Sequence, residues 1–246
     1  MLSEQTLEKL SELNLGGMMH AYETQRDDTS MGELNFDERL GLLVDAEYLH
    51  QHNRALERRL AYAHLKHPQA CLENIRYRAE RGVKRSQIDQ LSDSRWIQAH
   101  TPVLITGATG VGKTYLASAL GNRACRDGHR TLYCYSPRLF RDLLAAEADG
   151  TLSKFLRRFQ RMALLVIDDF GLESASPGQY RSFLELLEER FQKGSILITS
   201  QYPIDSWHNV IPDQTVADAV VDRLIHHSHQ LQLEGGSIRK DPPASS

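Results

Sequence analysis

Residues 103–120 combine an apolar run, a glycine-rich loop and a helix-forming segment, and this order limits the possible folds more than any other feature of the chain. Val103–Ile105 predicts a buried strand, residues 107–114 read Gly-Ala-Thr-Gly-Val-Gly-Lys-Thr, and Tyr115–Leu120 continues as a helix. Glycines let the backbone wrap around phosphate groups where a side chain would prevent the approach. The segment is therefore a P-loop in its expected strand and helix context.

The residues of this loop predict a nucleoside triphosphate and Mg²⁺ as ligands. Lys113 would bring a positive charge to the β- and γ-phosphates, next to the partial positive charge of the helix start. The Thr114 hydroxyl is a candidate ligand for Mg²⁺. The expected nucleotide-binding residues are Gly107, Thr109, Gly110, Val111, Gly112, Lys113, Thr114 and Tyr115.

A second motif follows in the segment Leu164–Asp169, which reads Leu-Leu-Val-Ile-Asp-Asp. Four consecutive apolar residues suit a strand that is buried on both faces of a parallel sheet. Asp168 would then hold Mg²⁺ through water, and Asp169 would orient or deprotonate the attacking water. Either carboxylate alone could instead cap a helix. The two motifs together predict an enzyme that binds and hydrolyses a nucleoside triphosphate.

Apolar runs alternate with helical segments along the chain, which predicts an α/β fold with a parallel five-stranded sheet. The helical segments between the strands include Pro137–Ala148, Leu152–Arg161 and Pro177–Gln192. The predicted strands are Val103–Thr106, Thr131–Tyr135, Leu164–Asp168, Ser195–Thr199 and Gln230–Leu233.

The chain divides by composition into four parts. Residues 1–66 carry apolar stripes at helical spacing and predict a small N-terminal helical domain, with Asn35 or Asp37 as a cap of its second helix. Residues 67–98 are expected to form a basic linker, residues 99–240 the nucleotide-binding domain, and residues 241–246 a disordered tail.

The composition, with 25% charged and 41% hydrophobic residues, is that of a soluble globular protein. We expect no membrane association, since no apolar run approaches the roughly 20 residues of a membrane helix. Cys71, Cys125 and Cys134 have no metal or redox spacing, so reduced thiols and a cytoplasmic location are expected.

Charge is distributed unevenly, although the net charge is only −3. Residues 1–50 have a net charge of −8, residues 51–161 of +11 and residues 162–246 of −6. The cationic middle indicates either a polyanionic partner or solvated helix faces that pair with acidic groups elsewhere in the fold. Charge alone leaves both interpretations open.

Two further polar residues are candidates for the catalytic site. Gln201 follows the fourth predicted strand, where it could contact the γ-phosphate or the attacking water. Arg223 could be an arginine finger that acts on the ATP of a neighbouring subunit. Spacing alone favours an intramolecular pair of Arg223 with Asp218 or Asp222.

The ordered motifs resemble those of AAA+ ATPases of the DnaA/DnaC-related branch, and more narrowly those of IstB-like proteins, the ATPase helpers of transposition in bacterial insertion sequences. The resemblance covers nearly the whole chain. It includes Ile75–Ala79 in the linker, and the parts that narrow it to the IstB-like group are Phe36–Asp45, Thr199–Gln201 and Asp222–Leu224.

The resemblance implies sheet order 5-1-4-3-2 without a C-terminal lid, Gln201 as sensor 1 and Arg223 as a finger acting in trans in a homo-oligomer. It also implies assembly on duplex DNA without marked sequence preference, remodelling of that DNA, and assistance to a partner transposase. Asp169 stands where most AAA+ proteins have glutamate, and Gln201 where asparagine is more common. Both departures predict slow or partner-stimulated hydrolysis.

The candidate DNA-contacting residues are cations spaced along predicted helices. One group is Lys154, Arg157, Arg158 and Arg161, a second is Arg138 and Arg141, and a third is the linker set Arg76, Arg78, Arg81, Lys84 and Arg85. Two alternatives to a transposition helper stay open. They are a DnaC-like helicase loader and a nucleotide-controlled scaffold without useful turnover.

Overall fold

The computed structural model describes residues 2–75 and 82–237, without the side chains of Leu2, Ser3 and Thr29. The linker cations Arg76, Arg78 and Arg81 and the tail 241–246 lie outside the described residues. Contacts divide the chain into two compact units, Met1–Arg58 and Arg59–Ser246. The division thus falls eight residues before the expected domain boundary at residue 66.

The first unit is helical, as the apolar spacing predicts. It contains α1 (Leu2–Glu12), α2 (Gly16–Asp27), a 3₁₀ turn (Thr29–Glu33) and most of α3 (Phe36–Ala63). Asn35 begins α3: its side chain accepts from the Glu38 N–H at 3.0 Å, and the Glu38 carboxylate accepts from the Asn35 N–H at 2.8 Å. This reciprocal pair satisfies two main-chain donors of the helix start.

The second unit opens with the segment expected as a linker. It forms a 3₁₀ turn (Leu72–Asn74), α4 (Arg85–Leu91) and α5 (Arg95–Gln98). Ile88, Leu91, Trp96 and Ile97 are buried in the same core as the first strand of the sheet. These four residues of the segment therefore belong to the core on one face of the sheet, together with apolar residues of Lys113–Arg126.

The sheet has five strands, namely β1 (Val103–Gly107), β2 (Thr131–Tyr135), β3 (Leu164–Phe170), β4 (Ser195–Ser200) and β5 (His229–Leu233). Their order is β2-β3-β4-β1-β5, and every neighbouring pair is parallel. This is the predicted order read from the opposite edge. The helices of this region are α6 (Lys113–Arg126), α7 (Ser136–Ala148), α8 (Leu152–Gln160), α9 (Pro177–Arg190), α10 (Trp207–Val210) and α11 (Gln214–Ile225).

Alternate residues of the four strands β1 to β4 enter two separate cores, one on each face of the sheet. Leu165 and Ile167 of β3 pack in the core that α7, α8, α9 and α11 cover. Leu164 and Val166 pack in the core that α6 covers. A strand buried on both faces accounts for the apolar run before Asp168, and it places the end of that run at the carboxyl edge of the sheet.

No described helix has both the length and the apolar character that crossing a membrane requires.

Candidate functional site

The P-loop joins β1 to α6 and takes a backbone path that requires glycine. Gly107, Gly110 and Gly112 have φ values of +145°, +85° and +103°. A Cβ at Gly107 would overlap the carbonyl oxygen of Leu233, and one at Gly110 would overlap the side chain of Ser237. The loop ends where α6 begins at Lys113, so main-chain N–H groups of the helix start face the space that a phosphate would occupy.

Lys113 lies across this loop and is only 5% exposed. Its ammonium donates to the carbonyl oxygens of Gly107 at 2.8 Å and Ala108 at 2.9 Å. These contacts hold the ammonium group at the glycine-rich turn.

Asp168 ends the apolar part of β3 and is completely buried. The Thr114 hydroxyl donates to its carboxylate, with both oxygens at 3.0 Å. The two motifs of the sequence analysis therefore meet at a single contact. Hydroxyl and carboxylate oxygens are hard donors of the kind that Mg²⁺ prefers, so the residues fit the predicted metal.

Two hydroxyls outside the P-loop also donate to Asp168. Thr199 of β4 donates to Oδ1 at 2.6 Å, and Tyr133 of β2 donates to Oδ2 at 2.7 Å. Burial, and then the hydrogen bond to Asp168, raise the pKa of Tyr133 far above its ordinary value, so this hydroxyl keeps its proton.

The sequence analysis did not identify either residue as part of the site. Tyr133 has no assigned role in the predicted strand Thr131–Tyr135, and Thr199 enters only as a strand residue and as part of the family resemblance at Thr199–Gln201. Both residues lie on strands that neighbour Leu164–Asp168 in the predicted sheet order. This position was the one sequence feature that could have indicated a contact with Asp168.

Asp169 follows with an unusual backbone conformation. Its φ is +59°, in the left-handed region, and its main-chain N–H donates to the Thr199 hydroxyl at 2.9 Å. The pairing of β3 with β4 is regular at Ile167 with Ile198 and resumes at Phe170 with Ser200. Asp168 and Asp169 thus both lie opposite Thr199, in a β-bulge that changes the direction of the second side chain.

Gln201 lies just beyond β4 and reaches the P-loop. Its side-chain oxygen accepts a hydrogen bond of 2.8 Å from the Thr109 hydroxyl. The structure therefore brings together Lys113, Thr114, Asp168, Asp169 and Gln201, which the sequence analysis placed in one site.

Arg223 on α11 is not brought to this site. It shares a pocket with Thr101 and Pro102, which precede β1, whereas the P-loop follows β1. A five-residue strand spans about 13 Å between its ends, since each residue adds about 3.3 Å. Arg223 pairs with Glu188 at 2.8 Å and Asp222 at 3.2 Å, and its guanidinium lies 5.5 Å from the centre of the Phe191 ring.

The candidate DNA-contacting cations differ in their surroundings. On α7, Arg138 lies 3.9 Å from Asp142, and Arg141 lies 3.3 Å from Glu173. On α8, the Arg158 guanidinium lies 4.6 and 4.7 Å from the ring centres of two phenylalanines. Within residues 2–75 and 82–237, the cations of the α8 group form no ion pair. This group consists of Lys154, Arg157, Arg158 and Arg161.

Comparison with known proteins agrees with this geometry. The family model described as IstB-like ATP binding protein matches residues 8–245. A putative insertion sequence ATP-binding protein, y4pL of Sinorhizobium fredii, is 41% identical over 98% of both chains. The putative ATP-binding protein of insertion sequence IS21 from Pseudomonas aeruginosa is 31% identical over 94% of this chain and 86% of its own length.

Solved structures show the same fold at lower identity. DnaI matches with a TM-score of 0.56 and 22% identity, over 67% of this chain and 91% of its own. AMPPCP-bound DnaA from Aquifex aeolicus also has a TM-score of 0.56, with 20% identity over 72% of this chain and 53% of its own. With the family match and the P-loop geometry, these likenesses identify the chain as an ATP-binding AAA+ ATPase that belongs to the IstB-like family.

Proposed function

We propose that this ATPase uses Mg²⁺ at the P-loop and hydrolyses ATP while assembled on duplex DNA, where it assists a transposase. The contact between Thr114 and Asp168 carries the catalytic part of this proposal, because it joins the two motifs that ATP hydrolysis requires. The insertion-sequence names of the relatives support the transposition part.

Each residue of the site has a role that follows from its position. Lys113 binds the β- and γ-phosphates, and Thr114 with Asp168 holds Mg²⁺, which when bound neutralises charge that develops on the phosphate oxygens. Asp169 is half-buried at the open edge of the sheet and orients the attacking water. Gln201, whose side chain already contacts the P-loop, detects the γ-phosphate or positions that water.

Arg223 acts on the ATP of a neighbouring subunit. It lies at the amino edge of the sheet, so it cannot serve the P-loop at the carboxyl edge of its own chain. Its ion pair with Glu188 is partly exposed and worth at most about 1 kcal/mol, which a phosphate contact would replace. Because such a finger completes the site only between subunits, ATP binding favours a homo-oligomer.

The α8 group is the DNA-contacting surface that the structure favours over α7. Its cations are free of ion pairs in the described part of the chain, whereas both α7 arginines already contact carboxylates. Lys154, Arg157, Arg158 and Arg161 are all exposed at positions i, i+3, i+4 and i+7, so they follow one face of α8 and its end. Cations on such a face contact the phosphates of the DNA backbone, which gives affinity without sequence preference.

A helicase loader is the competing function, and its support is weaker. The DnaC helicase loader matches with a TM-score of 0.52 and 22% identity over 67% of this chain, a likeness of fold alone. The test is binding of fluorescent duplex and single-stranded DNA of one length under ADP, ATP and a non-hydrolysable analogue. We expect ATP-dependent assembly on the duplex. Preference for the single strand, or no binding to duplex with any nucleotide, would support the loader.

A further inference from the structure

We propose that Thr199 and Tyr133 form a hydroxyl clamp, a pair of positioning residues that fixes the Asp168 carboxylate for Mg²⁺. The inference rests on the Mg²⁺ role proposed for Asp168. Neither residue would contact ATP or the metal itself, so both act through the carboxylate.

The two donors approach different oxygens of the same group. Thr199 donates to Oδ1 at 2.6 Å, and Tyr133 donates to Oδ2 at 2.7 Å, from the two strands on either side of β3. An ionised carboxylate has about four acceptor positions, so the clamp occupies one on each oxygen and leaves the others toward Thr114. Two bonds from opposite strands fix both the position and the rotation of the carboxylate plane.

Neutral donors suit this task better than cations. An arginine or lysine in hydrogen-bond contact would offset the charge with which the carboxylate attracts Mg²⁺. The Lys66 ammonium forms a long ion pair with Oδ2 at 4.0 Å, beyond hydrogen-bond distance, from a side chain that is 47% exposed. The two shortest contacts of Asp168 therefore come from uncharged hydroxyls. Partners that orient a metal ligand in this way commonly change metal affinity about 10- to 100-fold when removed.

Thr199 has a second contact that extends the clamp to Asp169. The same hydroxyl accepts the Asp169 N–H at 2.9 Å, at the bulge where both aspartates face a single residue of β4. This bond supports the left-handed backbone of Asp169, whose carbonyl oxygen also accepts a hydrogen bond from the Leu172 N–H at 3.2 Å. One buried hydroxyl thus couples the metal-binding carboxylate to the residue that orients water.

The test uses Thr199→Val and Tyr133→Phe, which remove the hydroxyls and keep the shape of the side chains. Thr199→Ser is the conservative variant. Tyr135→Phe is the matched control, because Tyr135 lies two residues along β2 and makes no hydrogen bond to Asp168 within the described residues. The measurements are Mg²⁺ titration of protein bound to a fluorescent ATP analogue, kcat, nucleotide affinity in EDTA, and amide exchange at Asp169 without nucleotide.

We expect Thr199→Val and Tyr133→Phe to raise the Mg²⁺ midpoint about 10-fold or more and to lower kcat, with affinity in EDTA unchanged. Thr199→Val also speeds exchange of the Asp169 amide, whereas Thr199→Ser and Tyr135→Phe resemble the wild type. If Thr199→Val does not fold, the Mg²⁺ midpoint of Tyr133→Phe still tests the clamp.

Wild-type Mg²⁺ midpoints in Thr199→Val and Tyr133→Phe would overturn the clamp. Equal impairment of Thr199→Ser and Thr199→Val would overturn it as well, because packing would then explain the effect. Hydrolysis of ATP by the wild-type protein in EDTA would instead overturn the proposed Mg²⁺ role. Failure of the clamp and failure of the Mg²⁺ role therefore give different results.

Discussion

The guanidinium of Arg223 and the carboxylate of Glu188 form a 2.8 Å ion pair at the amino edge of the sheet, remote from the P-loop that follows β1. The remaining catalytic candidates converge at the opposite edge. This separation places the nucleotide site and the arginine at opposite edges of the sheet. In the proposed homo-oligomer, the Arg223 of a second copy would complete the ATP site of the first.

Asp169→Asn tests the proposed role of Asp169 in orienting the attacking water. Loss of its base function should lower kcat by about 10²- to 10⁴-fold and leave ATP affinity nearly unchanged, because Lys113 and the loop still bind the phosphates. Steady-state hydrolysis and nucleotide binding measure the two quantities. Asp169→Glu, which lengthens the side chain by one methylene, is the companion variant. Wild-type turnover in Asp169→Asn would remove Asp169 from the mechanism.

Arg190→Ala tests a buried cation that holds the second unit together. Arg190 is 1% exposed and donates to the carbonyl oxygens of Phe159, Met162 and Ser195, which links the end of α8 to the start of β4. Three acceptors would lose a charged donor, so the free energy of unfolding should fall by about 3 kcal/mol or more.

Denaturant unfolding measures the effect of Arg190→Ala. The control is Lys193→Ala, which removes an exposed cation 3.5 Å from Glu189 and should change stability by less than about 1 kcal/mol. Equal effects of the two variants would show that Arg190 does not anchor α8.

Asp213 gives a pH-dependent prediction at the start of α11, the helix that carries Arg223. Hydrogen bonding from the Val216 N–H, and then from Arg181, lowers the pKa of Asp213 below its ordinary 3.8. Its contribution to stability is therefore present above pH 3.8 and is lost as the pH falls through the lower folded pKa. The stability difference between wild type and Asp213→Ala should shrink at low pH. Urea unfolding between neutral and acidic pH checks this, and a constant difference would contradict it.

The α8 group predicts a change in salt dependence. Arg157→Glu with Arg158→Glu should flatten the slope of log affinity for duplex DNA against log salt by about 0.9 for each lost phosphate contact. Arg138→Glu with Arg141→Glu is the control, because these arginines contact acidic residues of their own chain. An unchanged slope in the α8 variant would exclude the α8 group as a DNA-contacting surface. A flatter slope in the control would indicate that Arg138 and Arg141 of α7 contact the DNA.

The sequence predicted the parts of the fold that depend on local patterns. The strands and their order, and the placement of the P-loop and Asp168 in one site, follow from apolar runs, glycine spacing and family resemblance. The sequence pattern assigns Tyr133 no role at the site, because its hydroxyl reaches Asp168 through the pairing of β2 with β3.

The role of Thr199 and the burial of Trp96 depend on distant contacts in the same way. A bulge has no local signature in the two aspartates, and it is this bulge that places both beside Thr199. The segment is expected to be a basic linker, yet Ile88, Leu91, Trp96 and Ile97 within it are buried in one core with strands that form later in the chain.

Mixing two inactive variants on duplex DNA tests the shared ATP site most directly. Asp169→Asn keeps Arg223, and Arg223→Ala keeps Asp169, so each alone should be nearly inactive. An equal mixture should recover about one quarter of wild-type ATPase activity, the share of random interfaces that join an intact site to an intact finger. No recovery in the mixture, or wild-type activity of Arg223→Ala alone, would contradict an ATP site completed by a neighbouring subunit.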